Sequence, residues 1–233
     1  MHIPDGFIDA PVAAASGVVA VAAVALSLRG ARREVSEASA PLAGLTAVFV
    51  FAAQMVNFPV GAGTSGHLIG AALAAILIGP YAAVLAMTVV LSIQALVFAD
   101  GGLSALGLNV VNMAVVATIV GWLVFRLGTR ALPRARWSAM LAAGVAGFGS
   151  VLAAAAAFSL EFALGGTAPI PAGTVTVAML AVHAIIGVGE GIITALVVGA
   201  VLAVRPDLVF GVRDRLAAPK LEPREPERAR VAG

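Results

Sequence analysis

All 14 lysine and arginine residues of this chain fall in three groups. Arg29, Arg32 and Arg33 form the first, and Arg126, Arg130, Arg134 and Arg136 the second. Arg205, Arg213, Arg215, Lys220, Arg224, Arg228 and Arg230 form the third. Between them run long apolar stretches. Hydrophobic residues make up 61% of the chain and charged ones 11%, under half of the roughly 25% usual in soluble domains. A backbone of this kind satisfies its own polar groups in a bilayer by forming helices of about 20 mostly apolar residues. Apolar runs occur at residues 10–28, 41–58, 67–79, 81–99, 108–128, 137–164 and 174–204. With seven crossings every basic group lies on one side of the membrane, whereas a wrong count would scatter them. The positive-inside rule makes that side the cytoplasm. The chain therefore reads as an all-α integral membrane protein with seven transmembrane helices. Its amino terminus is expected outside and its carboxyl terminus in the cytoplasm. Residues 1–204 form the membrane domain and residues 205–233 a charged cytoplasmic tail. The place for such a chain is the plasma (inner) membrane, and its partner in every reading is the lipid bilayer.

A sequence pI of about 9.9 resembles a nucleic-acid signal. The basic residues instead lie between apolar runs and report topology, so no nucleic-acid partner is expected. Cysteine is absent, which excludes disulfides, thiolate zinc sites and iron–sulfur clusters. A metal would have to be held by nitrogen or oxygen.

The chain starts Met1-His2. Residues 1–9 hold Pro4, Asp5, Gly6 and Asp9 but no Lys or Arg, so the first run lacks the basic flank of a signal peptide. It reads as a retained helix with Met1 at the chain start, and the bulk of His2 should protect Met1 from removal. A free amine followed by histidine is a chelator. The amine, the His2 amide nitrogen and the His2 Nδ1 close a five-membered and then a six-membered ring on one ion. A second imidazole completes a planar set of four nitrogens, the geometry suited to Ni²⁺ or Cu²⁺. His at position two is also a common surface residue, so the pair alone decides little. Met1, His2 and the loop before His67 are, however, expected on the same external side.

Gly61-Ala62-Gly63-Thr64-Ser65-Gly66 fits GxGxxG in form, but no strand and no distal acid support a dinucleotide site. It reads better as a tight turn opening a helix, capped by Thr64 or Ser65, with His67 in the first turn. A helix amino terminus disfavours imidazolium, leaving a neutral ring fit for a metal or for packing. His183 stands in the last run with Glu190 two turns on. Intramembrane ionisable groups are functional candidates, yet helix packing or support of a ligand is the commoner role for such a histidine. Gly187 and Gly191 on that face point to close helix approach. Gln54, Asn57, Gln94, Asn109 and Asn112 read first as interhelical hydrogen-bonding groups, and Asp100 as a residue orienting the external loops or simply solvated. The stripe Ala71, Ala75, Gly79 allows close packing. HExxH, GxSxG and Walker A patterns are absent, so no enzyme activity and no ATP hydrolysis are expected.

The start MHIPDGF, the stretches QMVNFPVGAGTSGHLIGAALAAILIGP and QALVFADGGLSALGLNVVNM, and the late VHAIIGVGEG resemble the CbiM/NikM family. These are the cobalt- and nickel-binding capture (S) components of energy-coupling factor (ECF) transporters. The resemblance runs through about residues 1–204. It implies a seven-helix metal-capture domain whose amino terminus is tucked into an external pocket. It also implies metal ligation by Met1, His2 and His67, the set that the chelate points to. Co²⁺ or Ni²⁺ would be the transported ligand, with no resident cofactor. The implied partners are a transmembrane coupling protein, two cytoplasmic ATPase subunits and often a small membrane subunit, for which this chain carries no fused domain. Capture of another small substrate such as a vitamin is the competing function, but Tyr81 is the only tyrosine and aromatics make up 6%. A membrane metalloenzyme built on His183 and Glu190 is the third.

Overall fold

The computed structural model of the chain describes residues 1–37, 39–61, 64–213 and 215. Helix α1 spans Ala10–Ala31, α2 Ala40–Gln54, α3 Ala71–Ile78 and α4 Pro80–Val97. A continuous α5, Leu106–Ala131, contains a π-helical stretch at Val110–Val116. Helices α6, Arg136–Gly165, and α7, Ala172–Val204, complete the chain. Five of these are long and apolar enough to cross a membrane: α1, α4, α5, α6 and α7. Their outward faces carry exposed aliphatic side chains such as Val18, Leu26, Leu127, Val177 and Ile185, as lipid contact requires.

The longest helices, α6 and α7, pack through small residues. A Cβ added at Gly191 would sit 2.7 Å from the Gly144 carbonyl oxygen, so the two backbones touch where the Gly187/Gly191 face predicts close approach. The expected break at Gly79-Pro80 is present, and α4 begins at Pro80. Ala71 and Ala75 are fully buried, as is all of α3.

The region before α3 differs from expectation. Phe58–Gly61 (β1) and Thr64–Gly66 (β2) form an antiparallel hairpin, so no helix starts near residue 65 and neither Thr64 nor Ser65 caps one. Residues 67–70 belong to no helix or strand, and α3 starts only at Ala71. The reason is local. Gly70 takes φ +79°, a left-handed conformation that ends any helix running through it, and serves as the backbone cap of α3. Ala62 and Gly63, at the turn of the proposed GxGxxG stretch, lie outside the described residues.

With eight residues, α3 is about 12 Å long, far short of the roughly 30 Å hydrocarbon layer. The non-helical stretch ahead of it is tolerated because side chains replace the missing helical bonds. Buried Glu190 accepts hydrogen bonds from the amides of Ile69 and, at 2.8 Å, Gly70. Gln54 donates to the Ile69 carbonyl at 2.7 Å.

Two ends of the bundle are chemically distinct. At one, Glu34 in the α1–α2 loop accepts from the Ala82 amide at 2.8 Å. The segment after α7 folds back there, its Phe210 and Gly211 amides donating to the Leu77 and Ile76 carbonyls at 3.2 and 2.9 Å. Arg126, Arg130 and Arg213 line one cavity of about 350 Å³ at this end. Residues 216–233 of the basic tail lie outside the described residues. At the other end, residues 1–9 meet the loops after α4 and α6.

Glu190→Leu should orphan two buried amides and destabilise the protein by roughly 2–6 kcal/mol, at about 1–3 for each. Thermal unfolding in detergent measures this, and Glu190→Gln, which keeps one acceptor, should lose less.

Candidate metal centre

Residues 1–8 carry few regular backbone bonds of their own, so neighbouring loops hold them. Asn109 grips Ile3 from both sides, its Oδ1 accepting from the Ile3 amide at 2.8 Å and its Nδ2 donating to the Ile3 carbonyl at 3.2 Å. The Gly102 amide donates to the same carbonyl at 2.9 Å. Asp5 accepts from the Ser104 amide at 2.8 Å and from its hydroxyl. On the other flank the Thr167 hydroxyl donates to the Gly6 carbonyl at 2.6 Å, and the Asp9 amide to the Gly165 carbonyl at 2.7 Å. Phe7 packs between Phe158 and Phe162, with ring centroids 6.0 and 5.1 Å away. Asp9 then caps α1 by accepting from the Val12 amide at 3.0 Å.

This arrangement drives the first residues inward. Met1 is 1% exposed, His2 7% and His67 0%. The His2 and His67 rings stack with centroids 4.7 Å apart and planes at 28°. All three sequence-predicted ligand residues therefore meet in one buried pocket. His67 Nδ1 lies 2.7 Å from the Leu68 carbonyl, which fixes the proton on Nδ1 and leaves Nε2 as a lone pair. That Nε2 is buried without a hydrogen-bond partner. Asp100 Oδ2 stands 3.6 Å from His2 Nε2, the nearest carboxylate to that ring nitrogen. Among the described residues no three His, Cys, Asp or Glu side chains converge as a metal cluster. A centre here must draw on backbone nitrogen, which the Met1 amine and His2 amide offer.

Burial pushes the Met1 amine down to about 4, with Asp100 opposing the shift. It pushes the His2 imidazole down to about 3, reinforced by the adjacent amine. Both are uncharged at neutral pH and ready to donate lone pairs.

The remaining polar candidates divide. Asn109, Asp100 and Gln54 serve the pocket or its supporting backbone. Asn112 donates to Glu161 at 2.6 Å, and Ser16 donates to the same carboxylate at 3.3 Å, tying α1, α5 and α6 together. Sequence patterns did not single out Glu161; a lone acid in an alanine-rich run was the available signal. The proposed His183–Glu190 acid–base pair does not form. Both Glu190 oxygens are taken by the Ile69 and Gly70 amides.

The family described as cobalt uptake substrate-specific transmembrane region, CbiM, matches residues 2–208. This chain belongs to the CbiM family. It is 42% identical over 210 residues to a putative metal transport protein of Haloquadratum walsbyi, covering 90% of this chain and 94% of that protein. It is 36% identical over 240 residues to a fused nickel transport protein NikMN of Rhodobacter capsulatus, covering 98% of this chain and 67% of the relative. It is 34% identical to a cobalt transport protein CbiM of Sorangium cellulosum, with 96% and 99% covered. A crystal structure of a transition metal transporter superposes with a TM-score of 0.82 at 31% identity, covering 94% of this chain and all of that one. The CbiM chain is thus a multi-pass membrane protein of a cobalt and nickel transport family.

The depressed amine and imidazole carry a pH consequence. Undocked, these groups bind protons near 8.0 and 6.5; docked, only near 4 and 3. Proton uptake therefore favours the undocked segment, and docking weakens as pH falls through that window. Hydrogen exchange at the Ile3 amide, corrected for its intrinsic rate, should be strongly protected near pH 8 and progressively less so towards pH 5. Constant protection would show that the amine is not held neutral.

Proposed function

We propose that this CbiM chain is the metal-capture subunit of an ATP-driven ECF-type importer. It takes Co²⁺ or Ni²⁺ from outside the cell through four nitrogens: the Met1 amine, the His2 amide, His2 Nδ1 and His67 Nε2. The convergence of two buried imidazoles, 4.7 Å apart, beside a buried chain end carries the proposal. A planar four-nitrogen set suits Ni²⁺ and low-spin Co²⁺ and disfavours Zn²⁺, which prefers a tetrahedron. The His2 amide must give up its proton, which these metals promote.

In this reading the chain crosses the membrane seven times, with α2 and the non-helical residues 67–70 plus α3 making the second and third passes. The metal pocket faces outside and the arginine-bearing end the cytoplasm. Residues 1–204 are the capture domain and 205–233 a cytoplasmic tail. A coupling protein and two ATPase subunits supply the energy, with a separate small membrane subunit where one is present. The plasma (inner) membrane is the location.

Topology is checked by reporters. One fused after residue 205 should read cytoplasmic and one in the loop 165–173 external; the same side for both would refute seven passes.

Isothermal titration of the purified chain with Ni²⁺, Co²⁺ and Zn²⁺ tests the site. An uncleaved extension before Met1 converts the amine to an amide and should cost about a thousandfold in Ni²⁺ affinity or more, roughly 4 kcal/mol. A carboxyl-terminal tag should cost nothing. His67→Ala should weaken binding about a hundredfold or more, and His183→Ala less than His67→Ala. An extended protein that binds as tightly as the native one would remove the amine from the ligand set.

A further inference from the structure

One imidazole in this pocket has no role in the four-nitrogen chelate. His183 is fully buried on α7. Its Nδ1 lies 2.8 Å from the Met179 carbonyl, so the proton sits on Nδ1. Its Nε2 is buried and has no hydrogen-bond partner. His67 has the same arrangement, with Nδ1 bonded to a carbonyl and Nε2 bare. A ring nitrogen bound to a backbone carbonyl while the other is left as a lone pair is how proteins prepare histidine to bind metal. Leaving two such lone pairs unmet inside an apolar bundle costs free energy unless an ion visits them.

His183 lies against the strand that leads into His67. A Cβ at Gly66, the residue before His67, would come within 3.1 Å of His183 Cε1. His183 thus stands beside the segment that carries His67. The donors differ in what carries them. The Met1 and His2 donors ride on the chain's first residues, which Asn109 and the loop after α4 hold in place, whereas His183 is carried by α7 and His67 by the segment that leads into α3.

We propose that His183 Nε2 is the next ligand of the ion after the amino-terminal chelate opens. The ion then passes to a site made by His67 Nε2 and His183 Nε2. When residues 1–3 withdraw, the bonds from the amine, the His2 amide and His2 Nδ1 to the metal break. The amide nitrogen takes back from bulk solvent the one proton it released on capture, the ion stays divalent, His183 Nε2 supplies one lone pair and water molecules take the two other vacated positions. No electron is transferred. This inference rests on the capture reading above and adds an inner station to it.

The test uses the full chain in nanodiscs with the chelate disabled by an uncleaved Gly-Ser extension before Met1, or independently by His2→Ala. Cu²⁺ and Ni²⁺ are the probes, followed by titration calorimetry and, for Cu²⁺, by electron paramagnetic resonance. Both disabled chains should keep one weaker site, roughly a thousandfold below the native affinity, with hyperfine structure from two imidazole nitrogens. Adding His183→Asn should remove that site, and so should adding His67→Asn. Thermal unfolding of each double variant verifies that the fold persists. A residual site that survives His183→Asn in a folded chain, or no residual site in either disabled chain, overturns the proposal. Failure of the native chain to bind Ni²⁺ or Co²⁺ at all would instead sink the capture reading, and this inference with it.

Discussion

The Glu190 carboxylate, placed under the amides of Ile69 and Gly70, is the contact on which the rest of the pocket depends. Inside a membrane bundle an extended backbone has no water to satisfy it. Residues 67–70 can stay unwound only because Glu190 accepts from two of their amides, Gln54 donates to Ile69, and His67 turns its own Nδ1 onto Leu68. A regular helix through this stretch would make those side chains redundant. It would also give residue 67 a helical backbone and tie its carbonyl into the next turn. Unwinding frees the His67 ring to stack on His2.

The opposite wall is the chain's own beginning. A free terminus in a buried position is unfavourable while charged, and burial resolves this by keeping the amine neutral. The segment stays docked because its polar backbone finds partners on α5 and on the loop after α6, with Phe7 wedged between aromatic rings beneath. Removal of the proton and docking of the segment are one event. The group that would bind metal is thus also the group whose charge would expel it from the pocket.

Much of this was legible in the sequence, for identifiable reasons. Arginine is costly in lipid, so its clustering at Arg29–Arg33, Arg126–Arg136 and beyond Arg205 marks helix ends directly. The structure gathers Arg126, Arg130 and Arg213 around one cavity accordingly. That Met1, His2 and His67 would come together was readable, because chelation depends on donor type and chain position and so grouped them as one candidate set. The start of α3 was not. Gly-Thr-Ser-Gly before an apolar run looks like a capped helix start, and nothing local reveals that Gly70 is left-handed or that an acid 120 residues later takes its amide. The π-helical stretch at Val110–Val116 was equally silent, since it lies in an unbroken apolar run. It matters for geometry, because Asn109 at its edge grips Ile3 while Asn112 within it reaches Glu161.

The division of donors between the chain start and the segment before α3 bears on how the proposed site could be both tight and reversible. In the proposed chelate three nitrogens belong to two consecutive residues, so they bind almost as one and lose little entropy beyond the first bond. That gives tight capture from a small number of groups. The same connectivity means they can only leave together, by withdrawal of residues 1–3 past Asn109 and Gly102. The contacts resisting that step are the burial of Met1 and Ile3 and hydrogen bonds, each of modest net strength, from Asn109 in the first turn of α5 and from the loop after α4. A shift of those elements relative to α3 and α7 would therefore act on three metal bonds at once while leaving His67 in place. Opening the site needs no disruption of the α6–α7 contact at Gly144 and Gly191, so the rigid half of the bundle can keep its packing as the capture half lets go.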